Sequence, residues 1–267
     1  MWRVILAFLL GFCLFVKPVT AEETKFPTEA QLQEGEKIAQ MALEAAEKGN
    51  FVEAERLWTD LIARFPSNPA VWSNRGNTRV SQNKIEAAIE DYNKAIQLAP
   101  DAPTPYLNRG VAYEALGKYE EAIADYQRVL QLSPTDAMAY NNLGNANAGL
   151  GRWEEALKYY QKATEIAPNL AFASANESLT LYQLGRREEA ERKMRSILRK
   201  YPMFPDVRAA LTALLWEEGK QGEAESNWVA TVGVDSRYKD IQWVKEVRKW
   251  PPKMVVALEN FLNMETK

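Results

Sequence analysis

Residues 103–136 read PTPYLNRGVAYEALGKYEEAIADYQRVLQLSPTD, and the pattern of this stretch returns along the chain every 34 residues. Its turn residue, Gly117, lines up with Gly49, Asn83, Gly151, Gly185 and Gly219. Five residues later stands an alanine in every copy: Ala54, Ala88, Ala122, Ala156, Ala190 and Ala224. Four residues beyond is a bulky side chain: Trp58, Tyr92, Tyr126, Tyr160, Met194 and Trp228. Proline follows in five copies, at Pro66, Pro100, Pro134, Pro168 and Pro202, with Ser236 as the exception. A fixed period of this length means stacked supersecondary units. Stacked units make extended concave surfaces, so the period already points toward binding.

Each unit reads as two helices and a turn. Tyr106, Gly110 and Tyr113 recur at i, i+4, i+7 on a first helix. Gly117 then predicts an exit in the left-handed conformation, which glycine adopts without steric cost. Asn83 is the substitute in the preceding copy, since asparagine tolerates that conformation better than most residues. A second helix begins near Tyr119, carries Ala122, Ile123, Tyr126, Val129 and Leu130 on one side, and stops at Pro134. Gly76, Gly110 and Gly144 fall in mid-helix, where glycine costs about 1 kcal/mol against alanine. Their recurrence predicts a close backbone-to-backbone approach, faced by the alanines, with the aromatic residue filling the space between neighbouring units.

The patterns Trp72…Gly76…Ala88…Tyr92…Ala95…Pro100, Tyr106…Gly110…Tyr113…Ala122…Tyr126…Pro134 and Tyr140…Gly144…Ala156…Tyr160…Ala163…Pro168 resemble the tetratricopeptide repeat, TPR. The resemblance implies an all-α, right-handed α-solenoid of about six helix pairs, over 35–68, 69–102, 103–136, 137–170, 171–204 and 205–236. The outer units keep the turn residue and the alanine but carry Ala42, Ser178 and Thr212 in place of the glycine. Units 5 and 6 also replace the aromatic with Ser174 and Arg208. Terminal units of an array are commonly atypical, because one face meets solvent.

Two flanks frame the array. Residues 22–34 precede it, with Thr28 and Gln31 spaced as a capping box. Residues 237–267 read as helix, break, helix: Ile241, Trp243, Val244, Val247 and Trp250, then Pro251-Pro252, then Met254, Val255, Leu258, Phe261 and Leu262. Two readings stay open for this tail: a helical cap over the end of the array, or an apolar docking or dimer face built on Trp243 and Trp250. Its Tyr238-Lys239-Asp240 and Arg248-Lys249-Trp250-Pro251-Pro252 stretches are similar to those of exported TPR proteins of cyanobacteria and chloroplasts. Some of those proteins help assemble or maintain photosynthetic complexes, and the likeness implies such a role.

Residues 1–21 have the layout of a secretory signal peptide. Arg3 precedes an apolar run from Val4 to Val16, Lys17-Pro18 breaks it, and Val19-Thr20-Ala21 predicts cleavage before Glu22. The expected location is an exported one, a periplasm or a thylakoid lumen. A retained membrane anchor is the alternative, and membrane contact is expected only in that case. The one cysteine, Cys13, lies in this segment. The chain has no histidine, which removes the commonest general base and metal ligand together. A net charge of −3 gives no footprint for nucleic acid. The pairs Glu120-Glu121, Glu154-Glu155 and Glu188-Glu189 each open a second helix, where they suit the helix dipole and face solvent. No phosphate loop, nucleophile elbow or metal-ligand spacing is present. The expectation is a non-enzyme without cofactor or metal, whose oligomeric state the sequence leaves open.

In TPR proteins the first helices line the concave face. Two residues before each mid-helix small residue stands an asparagine: Asn74, Asn108, Asn142 and Asn176. A carboxamide offers two donors and an acceptor, so a row of them can pair with the N–H and C=O groups of an extended peptide whatever its side chains. Asn77, Asn145, Asn141 and Ser73 widen the strip. The row is read either as a peptide-binding ladder or as a tolerated polar face. A carboxylate clamp would need lysine or arginine among Ser73, Asn77, Asn108, Met138 and Asn142, and none is there. The functional expectation is therefore an exported interaction scaffold or assembly factor that holds an extended segment or helix of a protein partner. The alternative is a self-associating or membrane-tethered organiser using the Trp243/Trp250 tail.

Overall fold

The computed structural model describes residues 27–265. The expected leader, 1–21, with Cys13, lies outside the described residues. Six helix pairs follow one another: α1 (Glu29–Glu47) with α2 (Phe51–Arg64), α3 (Pro69–Ser81) with α4 (Ile85–Leu98), and α5 (Pro103–Ala115) with α6 (Tyr119–Leu132). Then come α7 (Ala137–Gly149) with α8 (Trp153–Ile166), α9 (Ala171–Gln183) with α10 (Arg187–Lys200), and α11 (Pro205–Glu217) with α12 (Gln221–Val234). A 3-10 turn (Ser236–Lys239), α13 (Ile241–Glu246) and α14 (Pro252–Glu265) close the chain. Among the described residues the fold is all-α, a solenoid of paired helices. No helix there is long and apolar enough to cross a membrane.

Local chemistry sets the helix ends. Thr28 and Gln31 form a reciprocal capping box at the start of α1, satisfying two backbone donors that the first turn leaves open. At the turn of unit 3 the backbone of Gly117 has φ +70°, and Asn83 holds the same left-handed turn at φ +59°.

The packing inside a unit differs from expectation at one point. A Cβ placed on Gly76, Gly110 or Gly144 would meet the ring of Tyr92, Tyr126 or Tyr160 at 2.6, 2.5 and 2.5 Å. The mid-helix glycine thus makes room for the aromatic ring of its own unit, and not for a backbone. Each ring lies buried, and the six registered alanines have no exposed surface. Sequence shows that a small residue recurs; only the fold shows which neighbour fills the space.

A second register works as a strut between the paired helices. Arg75 grips Asp91 through two hydrogen bonds of 2.6 and 3.0 Å, and Arg109 grips Asp125 at 2.6 and 2.8 Å. The same register holds Leu143 and Tyr159 in unit 4, and in unit 5 the charges reverse, with Lys193 Nζ 2.6 Å from Glu177. Buried pairs of this kind lose more when one partner is removed than they contribute as a pair. Four basic side chains of unit 5, Arg186, Arg187, Lys193 and Arg195, are paired with Glu189, Glu217, Glu177 and Glu191.

Successive first helices touch: α3 meets α5, α5 meets α7, and α9 meets α11. They therefore line the inner side of the curve. Here the tail departs from a simple stacked cap. α14 packs on α11 and α9, the first helices of units 6 and 5, so it folds back into the hollow. Met254, Leu258 and Phe261 are fully buried, and Phe261 sits edge-on to Trp216 and Trp228, each at 5.3 Å. Trp250 is buried, lies against Tyr238 and donates its Nε1–H to Asp206 at 3.1 Å. Arg248 donates to the same carboxylate through Nε, at 2.9 Å, and through Nη2. These contacts consume Trp250, which leaves a docking or dimer face on Trp243 and Trp250 without one of its two tryptophans. Trp243 is half-buried, edge-on to Tyr238 and capped by the Arg237 guanidinium.

Candidate functional site

Between the inner face and the returning tail is a chamber of about 850 Å³. Units 3 to 5 supply one wall, with Glu114, Asn141, Asn145 and Asn176 among its residues. Residues 245–252 run across it as a strap, placing Lys245, Glu246, Lys249 and Pro251 at its edge. Asp206 holds the middle of the strap through Arg248 and Trp250, and Gln183 accepts the Lys253 backbone N–H at 2.9 Å. The groove is thus open at unit 2 and roofed by the strap over units 3 to 5.

The asparagines are stitched to one another across units. Asn108 donates to Asn77 at 2.9 Å, and Tyr92 donates to the same Asn77 oxygen at 2.8 Å. Two units on, Asn176 donates to Asn145 at 3.2 Å and Asn141 at 3.1 Å, while Tyr160 donates to Asn145 at 2.9 Å. Asn141 donates to Asn142 at 3.2 Å. Asn141, Asn142 and Ser73 are buried, and the Ser73 hydroxyl has no hydrogen-bond partner among the described residues. Asn74 is half-buried and makes no side-chain hydrogen bond among the described residues. Within each stitched pair the amide N–H₂ of Asn77 or Asn145 and the oxygen of Asn108 or Asn176 make no hydrogen bond among the described residues. A donor edge and an acceptor edge recur along the wall. Arg75 and Arg109, beside the ladder, are turned into the units by Asp91 and Asp125.

Unit 3 breaks the stitch. Val111 stands where units 2 and 4 have Asn77 and Asn145, so the Tyr126 hydroxyl finds no carboxamide. It donates instead to Glu114 Oε1 at 2.5 Å, one helical turn on. Burial lifts the Glu114 carboxyl to about 7, against the lowering effects of the Tyr126 hydrogen bond and of the Lys249 charge. Burial also pushes the Tyr126 hydroxyl up, so it stays a donor. Sequence reading passed over Glu114. The available signal was Val111, a lapse in the asparagine register beneath a tyrosine that did not lapse. The groups that Lys245 and Lys249 bring to the groove had no such signal, because they arrive from the tail.

Fold and site together define a helix-pair solenoid whose inner face is partly roofed by its own C-terminus. Residues 101–169 and 135–202 match the family model described as tetratricopeptide repeat, and residues 76–117 match one described as TPR repeat. The chain is a member of the TPR family. No curated protein matches it. Among solved structures it is similar to the crystal structure of MamA, with 25% identity and a TM-score of 0.55 over 60% of this chain and 94% of that one. It is also similar to a tetratricopeptide repeat protein from Parabacteroides merdae, with 20% identity, a TM-score of 0.64, and 88% and 87% of the two chains covered. A third likeness is to YrrB, a TPR protein with an unusual peptide-binding site, at 21% identity and a TM-score of 0.53 over 72% of this chain and 97% of that one.

Proposed function

We propose that this protein is an interaction scaffold that holds a partner polypeptide in the groove of units 2 to 5. Recognition is its whole activity, with no bond made or broken. The observation that carries the reading is the stitched asparagine wall, with an uncommitted donor and acceptor edge at Asn77–Asn108 and again at Asn145–Asn176. A donor edge beside an acceptor edge can pair with an N–H and a C=O of an extended chain. The peptide-binding site named for YrrB supports a groove of this family in the same use.

The test is a triple alanine variant at Asn74, Asn108 and Asn176. It removes the uncommitted acceptors and the free Asn74 amide while leaving Tyr92 bonded to Asn77 and Tyr160 to Asn145. Partner captured by crosslinking in the native compartment is expected to bind the variant about tenfold more weakly or worse, from two or more lost hydrogen bonds. Helicity and melting stay close to those of the wild type. Equal affinity would remove the ladder from the mechanism. We extend the proposal to export, directed by residues 1–21, and to a partner within a photosynthetic membrane complex, following the likeness of the tail. A mature N-terminus at Glu22 and recovery of such a subunit in the wild-type capture, reduced in the variant, are the expected results.

A further inference from the structure

Glu114 is the odd residue of the inner wall. At its register the other units carry Ala46, Val80, Ala148, Tyr182 and Trp216, so an ionisable acid occurs here alone. Its carboxyl is half-buried, lines the chamber, and among the described residues has one hydrogen bond, from Tyr126 to Oε1, and none at Oε2. Lys249 acts on it through space from the strap, without an ion pair between them among the described residues. A desolvated carboxylate without a contact cation costs folding energy, and such a cost persists where the group serves a ligand.

The rings nearby point the same way. Tyr119 lies against Gly149, where a Cβ would come within 2.5 Å of the ring, so the glycine lets the ring form part of the chamber lining. Trp153 lines the chamber as well. Elsewhere in the array Trp72, Tyr106, Tyr113 and Tyr182 each have an arginine of the chain over the ring. Tyr119 and Trp153 have none among the described residues. The chamber lining carries Glu114 and Glu246 against Lys245, Lys249 and Arg248, and Arg248 is held by Asp206. A carboxylate and two lining rings without a cation over them among the described residues can receive a further cation there.

We infer that the strap-roofed chamber is a cation subsite: a lysine or arginine side chain of the bound segment, or its terminal ammonium, pairs with Glu114 in the chamber that Tyr119 and Trp153 also line. This rests on the groove being the peptide site, and it adds that the partner is basic where it meets unit 3. Lys249 then acts as a competitor, whose charge the incoming cation must displace from the field of Glu114.

The experiment measures binding of three fluorescently labelled peptides of equal length, alternating serine with lysine, with glutamine, or with glutamate. The protein forms are the full chain, E114Q, E90Q and the triple asparagine variant. E114Q keeps an acceptor for Tyr126, and E90Q removes the same charge from the outer face of α4. The lysine peptide is expected to bind tightest, to lose about tenfold or more in E114Q, and to be unchanged in E90Q. K249A is expected to tighten it. Equal losses in E114Q and E90Q, preference for the glutamate peptide, or no binding of any peptide would overturn the subsite. If the triple variant loses every peptide while E114Q loses none, the groove stands and the cation subsite falls. The reverse pattern keeps the subsite and removes the asparagine ladder.

Discussion

At Gly110 two effects of opposite sign meet. Alanine there would gain about 1 kcal/mol of helix propensity. Its Cβ would also stand 2.5 Å from the Tyr126 ring, which is fully buried and tied at its hydroxyl to Glu114. With the ring held at both ends, overpacking of about 1–3 kcal/mol outweighs the propensity. G110A is therefore expected to lower stability by up to about 2 kcal/mol, the difference of the two effects. At Gly233, a helical glycine with nothing within 4 Å of the place an added methyl would take, propensity acts alone, and G233A gains up to about 1 kcal/mol. Urea midpoints of the two variants check the pair, and the opposite order would show that the rings do not need the glycines. The recurrence of Gly76, Gly110 and Gly144 was plain in the sequence. The ring that fills each space was not, because periodicity reports a register and says nothing about which neighbour closes on it.

Among the elements, the strap is held at its middle by one carboxylate and just beyond its end by Gln183. Residues 245–252 carry little periodic apolar pattern of their own, and one buried carboxylate, Asp206, takes hydrogen bonds from both Arg248 and Trp250. D206A leaves the half-buried Arg248 guanidinium without its partner, at a local cost of about 3–5 kcal/mol. D206N keeps the shape and one acceptor and should be milder. The strap holds Lys245, Arg248 and Lys249, with Lys253 just beyond it, all trypsin sites. Limited trypsin digestion is expected to cut the strap of D206A well before α3 to α6, to cut D206N at an intermediate rate, and to spare the wild type. Unchanged cleavage in D206A would show that α14, through Phe261 and its neighbours, holds the strap unaided. The helix–break–helix order of this tail could be read from Pro251-Pro252 and the two apolar runs. Its return into the hollow could not, because Arg248 and Asp206 lie 42 residues apart and no local pattern links them.

The whole molecule is an uneven array. Units 2 to 4 were legible because each is a near copy of the next, and the asparagine wall was legible as a position. The stitches, the Glu114 exception and the roofed chamber follow from how neighbouring units curve together, which single-unit patterns do not encode. That curvature also distributes stability. The largest buried cluster joins α9, α11, α12, α13 and α14, with Leu211, Leu214, Leu215, Trp228 and Phe261 among its members. At the other end α1 buries only Gly35 and Ala42. In a solenoid each unit is stabilised by its own helices and its immediate neighbours, so units need not open together. Amide exchange under native conditions is therefore expected to rise from slow in α9, α11 and α14 to fast in α1. Adding urea should release α1 and α2 at a lower concentration than units 5 and 6. The groove of units 2 to 5 then lies between a frayed entrance and a rigid, strap-roofed end, which suits a site that admits a chain from one side. Exchange of α9, α11 and α14 as early as that of α1 would mean that the returning tail does not consolidate its end of the array.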